Sequence, residues 1–598
     1  MGGQTDPTTT AGEGLSRRRF VQQGAVGAAA AGAALAAPAW AQGARRQVTR
    51  GRSVAVFGGG MAGLTAAHEL AERGFQVTVY ERNALGGKAR SIPLAGSGTG
   101  GRKDLPGEHG FRFFPGFYHH VPNTMRRIPH LRGKTVGDHL VAASEGQFLR
   151  ADGKADAGPL GIGPDPVGLF TVDGLRKTLT DMLSGTGVPP HELAYFVERL
   201  LVFLTSSDAR RFGQWEQRSW WEFVGAGSRS KEYQRVLAAG LTRNLVAAKE
   251  TLASTRTIGN MGEAFVFNIM GLGNDGELDR VLDLPTNEAW IDPWVHHLES
   301  LGVRFQVGWA AEHVEMRDGR VASVRVRNAR KRRRTVTADW YVIAAPVERT
   351  RPLMNAEILR ADPSLEGMNA LKTDWMVGIQ YFLTKSPGLV RGHISFLDAP
   401  WALTALTQAQ FWKERRMARD YGDGRVVDVL SVDISNWDAP GVVFGKPAKR
   451  CSPTEIAVEV WEQIRRHETA GRKLDRGAIH SWMLDPGIVW NGRTGQNRNV
   501  TPLLVNTVGT WAKRPTARTR IPNLFLGGDH LQTNVDLATM EGANTSGRAA
   551  AKAILEAADS PKDPPRFWSL YKLPALEPLK QLDAARFKAG QPNLLDLG

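Results

Sequence analysis

Val54-Ala55-Val56-Phe57-Gly58-Gly59-Gly60-Met61-Ala62-Gly63-Leu64 is the stretch that decides the fold. Its four leading apolar residues read as a short buried strand, and the glycines open a helix over 61–73. Leu64, Ala67, Leu70 and Ala71 share one face of that helix. Gly74 closes it, and 76–80 reads as a second strand ending at Glu81. Strand, glycine turn, helix and strand make the start of a βαβ unit. Gly58-x-Gly60-x-x-Gly63 has dinucleotide-binding spacing, and Glu81 stands about 20 residues further on, where that fingerprint needs an acid. Gly58 permits the tight turn, Gly60 lets a pyrophosphate reach the backbone, and Gly63 lets the helix pack on the strand. The helix N-terminus offers N–H donors and partial positive charge. Glu81 is placed to accept from ribose hydroxyls.

The fingerprint alone leaves NAD and FAD open. The residues after it choose. Leu85-Gly86-Gly87-Lys88-Ala89-Arg90 resembles the second glycine motif of the amine oxidase and phytoene desaturase flavoprotein superfamily. Gly528-Asp529, Met540-Glu541-Gly542-Ala543 and Ser546-Gly547 resemble its C-terminal flavin motif, and 339–346 resembles its strand ending in a proline turn. The resemblance implies FAD as cofactor. Carried over position by position, it implies flavin contacts at Gly58, Gly60, Ala62, Gly63, Glu81, Arg82, Gly87, Lys88, Arg112, Phe113, Tyr118, Gly528, Asp529 and Met540. It also implies a backbone contact to adenine at Val314, a phosphate-neutralising role for Lys88, and a substrate border at Ala538.

The segment Glu108-His109-Gly110-Phe111-Arg112-Phe113-Phe114-Pro115-Gly116-Phe117-Tyr118 is similar to plant-type carotene desaturases, although Arg112 stands where they carry His. Hydroxysqualene dehydroxylase-like proteins remain a close alternative. Amine oxidases usually carry an aromatic residue just before the Met of the C-terminal motif, and Thr539 stands there instead. The resemblance therefore implies hydride removal from an apolar, isoprenoid-type small molecule, with quinone or oxygen as electron acceptor. An amine oxidase using molecular oxygen and a non-catalytic flavin-bearing partner stay open as alternatives.

The expected architecture is α/β. A Rossmann-like FAD-binding domain is built from discontinuous segments, 42–130, 291–350 and 506–560. A mixed α+β substrate domain, 131–290 and 351–505, is inserted between them, and 561–598 wraps the surface as a tail. With 598 residues the chain is too long for one core. Helices are expected over 191–205, 290–300 and 541–557, and strands over 303–307, 311–316, 321–326, 340–346 and 524–526. Phe113 and Phe114 divide between core packing and flavin contact. Ser219-Trp220-Trp221 and Phe265-x-Phe267 read as core before channel. His119 and His120 read as partly exposed structural histidines. No acid–base dyad stands out, so no catalytic residue is assigned.

The single cysteine, Cys451, excludes an internal disulfide and a multi-cysteine metal or cluster site, and no metal is expected. It reads as a buried filler. The net charge of +16 raises nucleic acid or an anionic membrane surface as partners. No nucleic-acid motif accompanies it, so nucleic acid is not expected, and peripheral membrane contact stays open. Part of the excess, Arg330 to Arg334, reads as a solvated hairpin tip. Residues 1–41 read as a twin-arginine signal. Ser16-Arg17-Arg18-Arg19-Phe20 is followed by a weakly apolar stretch, 24–37, and by a small-x-small site at Ala39-Trp40-Ala41. That implies export in folded form, to the periplasm, the cell envelope or the medium.

Overall fold

The computed structural model describes residues 52–596, apart from 152, 155, 161–170, 245–247, 468 and 470–472. The expected signal segment lies outside the described residues. The quoted stretch forms strand β1 (Ser53–Phe57) and helix α1 (Met61–Ala71), and β2 (Gln76–Glu81) follows. Three later strands join them: β3 (Arg304–Val307), β4 (Trp340–Ile343) and β5 (Leu524–Leu526). Every pairing is parallel, and the order across the sheet is 3-2-1-4-5. In such a doubly wound sheet, ligands lie outside the carboxyl ends of the strands where the winding reverses, here between β1 and β4. Helix α2 (Met540–Ala557) packs against α1, and a Cβ on its Gly547 would meet the Ala62 carbonyl at 2.4 Å. Only glycine lets the two helices approach so closely.

A second sheet has seven strands in the order 479–484, 377–383, 428–434, 403–407, 392–396, 145–149 and 157–160. Its pairs are antiparallel except that Gly392–Phe396 runs parallel to Glu145–Leu149. Successive side chains of a strand point to opposite faces. One face carries Val377, Ile379, Tyr381, Leu403, Ala405, Leu430, Val432 and Ile434, and it forms a core against Ile456, Val460, Trp461 and Ile464 of the helix Pro453–Arg465. The opposite face carries Gly378, Gln380, His393, Ser395, Thr404, Ser431 and Asp433, all of it largely buried. The segment 105–112 lies across this polar face. The Gly378 amide donates to the His109 carbonyl (2.8 Å), and the Glu108 amide donates to Gln380 Oε1 (2.9 Å).

The three-stranded meander Trp309–Arg317, Arg320–Asn328 and Arg333–Val336 follows β3. Asp318 and Gly319 both have positive φ at its first turn; of the exposed Arg330–Arg334 run, Arg330 to Arg332 make the second turn, while Arg333 and Arg334 are already paired in the third strand, a correction to the expected tip. Cys451 is a buried free thiol. One element was not foreseen and one further expectation needs correction. The tail contains a helix, Glu577–Lys588, docked by buried Asp583, which accepts from Arg210 Nε (2.8 Å) and the Ser207 hydroxyl (2.8 Å). The helix expected over 290–300 is two pieces, a π-helical segment Asn287–Ile291 running into Asp292–Ser300.

Candidate functional site

A cavity of about 650 Å³ opens at the carboxyl edge of the parallel sheet and reaches the polar face of the seven-stranded one. All five parallel strands deliver a loop to it: Gly58 after β1, Arg82 after β2, Trp309 and Ala310 after β3, Ala344 and Ala345 after β4, Gly528 and Asp529 after β5. The fingerprint glycines earn their places sterically. Gly58 has φ +120°, and a Cβ there would sit 2.1 Å from the Ala344 carbonyl oxygen. A Cβ on Gly63 would sit 1.8 Å from the Gly58 carbonyl oxygen. Gly60 and Gly87 face each other, since a Cβ on Gly87 would meet Gly60 Cα at 2.9 Å. The two glycine motifs thus form one bare backbone cradle beside the N-terminus of α1.

Around the cradle stand Arg82, Lys88, Arg90, Arg112, Arg327 and Arg349, a cationic set matched to a pyrophosphate. Glu81 accepts from the Gly59 amide (2.7 Å) through Oε2 and from the Asn83 amide (2.7 Å) through Oε1. Those two bonds fix its carboxylate at the cavity wall with lone pairs to spare for a ribose. At the far end, Thr539 caps α2 by accepting from the Gly542 amide (3.0 Å). The amides of Met540 and Glu541 are left without intrahelical partners, so the helix end offers donors and partial positive charge.

Of the expected contacts, Gly58, Gly60, Ala62, Glu81, Arg82, Gly87, Lys88, Arg112, Phe113, Tyr118, Gly528, Asp529, Ala538 and Met540 line this one cavity. Gly63 stands behind it, packing helix on strand. Val314 is a correction. It is fully buried away from the cavity, and its carbonyl accepts from Asn355 Nδ2 (2.8 Å). The start of its strand, Trp309 to Ala311, lines the wall instead, because a strand entering from the sheet's edge meets the cavity with its first residues. Lys88 donates to the Pro502 carbonyl. Arg112 donates to the carbonyls of Lys88 (2.8 Å) and Ala89 (3.3 Å), so it steadies the second glycine turn.

Phe113 lines the cavity, stacked on His393 with centroids 5.3 Å apart, whereas Phe114 packs on Trp290 in the core. Phe265 lines the cavity, against the expectation of core, while Phe267 and Trp220 are core residues. His120 is buried, not partly exposed. Its Nδ1 donates to Glu541 Oε1 (2.7 Å), and its Nε2 accepts from the Trp568 amide (3.1 Å). Glu541 also accepts from the amides of His119, His120 and Val121 at 2.7–2.9 Å. The Glu of the C-terminal motif thereby holds the segment bearing Tyr118.

Sequence reasoning missed Asp433 and His393. Both are lining residues with a buried atom that has no protein partner, Oδ1 and Nε2. Burial pushes the Asp433 carboxyl up to about 7, against the pull of the Arg112 charge and helped by Glu108. Burial pulls His393 down to about 4. The sequence signal was a lone acid inside an apolar run, Val432-Asp433-Ile434. Among the described residues His68, Glu72 and His297 also lie close enough for a metal ion. Trp294 Nε1 donates to His68 Nδ1 (3.1 Å), which puts the ring proton on the nitrogen facing Glu72 and argues against a ligand there.

The residues present fit FAD, because the bare cradle, the cations, Glu81 and the N-terminus of α2 supply what a dinucleotide and a flavin ring need. Removing the Glu81 carboxylate by Glu81→Ala should weaken flavin retention by about ten- to a hundredfold, or 1–3 kcal/mol, since two amides and the ribose lose their acceptor. Flavin release during dialysis measures it, and undiminished retention would refute the role.

Comparison with known proteins agrees. Residues 61–555 match the family described as Flavin containing amine oxidoreductase. Carotenoid phi-ring synthase of Streptomyces griseus is 25% identical over 536 residues, 84% of this chain and 88% of its own. Zeta-carotene desaturase of Synechocystis sp. is 22% identical over 546 residues, 84% and 97% of the two chains. Among solved structures, putrescine oxidase covers 85% of this chain and 99% of its own with TM-score 0.55 at 12% identity. An oxidoreductase from Methanosarcina mazei covers 84% and 100% with TM-score 0.52, also at 12% identity. Identities this low speak for the fold alone.

Proposed function

Since the chain belongs to the flavin containing amine oxidoreductase family and is an FAD-dependent oxidoreductase, we propose that it removes hydride from an apolar, isoprenoid-type substrate. The cradle, Glu81, Asp529 and the N-terminus of α2 would hold FAD, which when bound would supply the two-electron acceptor for the hydride.

The position before Met540 carries the proposal. Thr539 offers no aromatic face, and its hydroxyl is spent on capping α2. Ala538 beside it is small. Phe117, Met261, Phe265 and Leu537 make the neighbouring wall apolar, with room for a chain to lie in front of the flavin site. The carotenoid-related names of two sequence relatives support the same class. One observation favours a second reading, amine oxidation. Phe117 stands edge-on to both Tyr118 (5.4 Å) and Phe265 (5.0 Å), and this aromatic group could form part of a cage for an amine.

Anaerobic bleaching of the bound flavin separates the two. Zeta-carotene should bleach it and putrescine should not. Ala538→Trp should slow bleaching by zeta-carotene by about a hundredfold by filling the passage, with flavin still bound. Fast bleaching by putrescine, undiminished in the Trp variant, would replace the isoprenoid reading with the amine one.

A further inference from the structure

The polar face of the seven-stranded sheet holds one carboxylate with no partner on its inner oxygen. Asp433 is 7% exposed and lines the cavity. Its cross-strand neighbours are Gly378 on one side and Thr404 on the other. Oδ1 lies among backbone positions that must stay bare. A Cβ on Gly110 would approach it to 2.5 Å, and one on Gly378 to 3.0 Å.

The charged groups that face Asp433 come from two elements. Segment 105–112 contributes Arg112 and Glu108. The same segment's His109 is taken by Asp485, next to the strand 479–484, through Nδ1 to Oδ2 (2.7 Å). Arg112 is spent on the carbonyls of Lys88 and Ala89. No cation among the described residues is in ion-pair contact with Asp433, although buried carboxylates elsewhere in the chain, such as Asp583 and Glu263, are paired. A buried acid left open toward a cavity is costly, and such groups concentrate where chemistry uses them.

We propose that Asp433 is a catalytic base whose carboxylate, through the oxygen that reaches the cavity rather than the buried Oδ1, takes a proton from the substrate as hydride leaves it. The proposal rests on the reading of the chain as an isoprenoid oxidoreductase. Two C–H bonds on neighbouring carbons break. One hydrogen departs with both electrons to the two-electron oxidant. The other passes as a proton to the carboxylate, and the electron pair it leaves becomes the second bond of a new C=C. The ordinary carboxyl range would make Asp433 a weak base; burial moves it to about 7, close to the optimum for a base working near neutral pH.

The test uses the holoprotein and Asp433→Asn, which keeps the shape of the protonated acid. Flavin content should be unchanged, and anaerobic bleaching by zeta-carotene should fall by about a hundredfold or more. In the wild type that rate should rise with pH through about 7, and in the variant it should be flat. A readout without substrate is the melting temperature. An acid whose folded pKa is raised loses stability as pH rises from its unfolded value of 3.8 to its folded value of about 7. The Tm of the variant minus that of the wild type should therefore grow between about pH 4 and about pH 8. A flat difference overturns the proposal, and so does a variant that bleaches as fast as the wild type. Bleaching of the wild type by putrescine and not by zeta-carotene would overturn the substrate reading instead. The Asp433 comparison would then be made with putrescine, where an equal rate in the variant again refutes the base.

Discussion

Gly58→Ala is expected to cost more than about 4 kcal/mol of stability and to abolish flavin retention. Two penalties coincide. The residue has φ +120°, a region that side chains rarely enter. The added Cβ would lie 2.1 Å from the Ala344 carbonyl oxygen and 2.8 Å from its carbon. Neither backbone can yield, because β1 and β4 are paired residue for residue up to Phe57 and Ile343, and the Ala344 amide donates to the Phe57 carbonyl (2.8 Å). Relief would have to come from separating the two central strands at the point where the pyrophosphate is expected. Chemical denaturation and flavin absorbance of the purified variant measure both effects. An alanine protein with full flavin content and stability within about 1 kcal/mol of the wild type would contradict this geometry.

Glu541→Ala should cost about 3–5 kcal/mol, although the side chain touches no solvent and makes no surface contact. Its carboxylate is the acceptor for three successive backbone amides and for His120 Nδ1, at the start of the helix His120–Arg126. Alanine would leave four buried donors unpaired, each worth about 1–3 kcal/mol before relaxation. Tyr118, next to those amides, would lose its fixed place at the cavity. The same pairing predicts acid sensitivity. Burial acts to raise the Glu541 carboxyl, but the hydrogen bond from His120 and the amides of Val121 and His120 outweigh it and hold it below the usual range. A group lowered in this way stabilises the fold fully above its unfolded value of 4.5, and the benefit disappears as pH falls through the folded value. Wild type and variant should therefore differ widely at neutral pH and converge in acid. Equal urea midpoints at neutral pH would count against the role.

The parallel sheet was legible because its evidence is local. Glycine spacing, the strand on either side and Glu81 all fall within thirty residues, and each answers to the same turn geometry. The C-terminal motif was legible for the same reason, since Thr539, Met540 and Gly542 describe one helix start. Other parts were not. The helix Glu577–Lys588 is weakly patterned, and what docks it is Asp583 bonding Arg210 across 373 positions of sequence, a partner no periodicity reveals. Val314 was placed by analogy along a strand, but which residues of a strand reach a cavity depends on where the sheet ends. Asp433 could be seen as an anomaly in Val432-Asp433-Ile434. Whether that anomaly faces core or cavity is decided by register with Gly378 and Thr404, strands that meet only in the folded chain. Sequence could also not separate Phe113 from Phe114, since neighbours in an extended segment point to opposite sides by geometry alone.

The seven-stranded sheet divides its labour by parity. In 428–434 the even positions from Leu430 onward belong to the core and the odd ones, Ser431 and Asp433, to the polar face, where Asp433 reaches the cavity. In 377–383 the rule is reversed, with odd Val377, Ile379 and Tyr381 in the core and even Gly378 and Gln380 on the other side. Stability and chemistry are therefore written on alternate letters of the same strands. A change at Thr404 or His393 alters what the cavity can recognise while the opposite face keeps its packing and its hold on the helix Pro453–Arg465. Substrate preference in this scaffold can drift, or be redirected in the laboratory, one alternate letter at a time, without reopening the question of whether the protein folds.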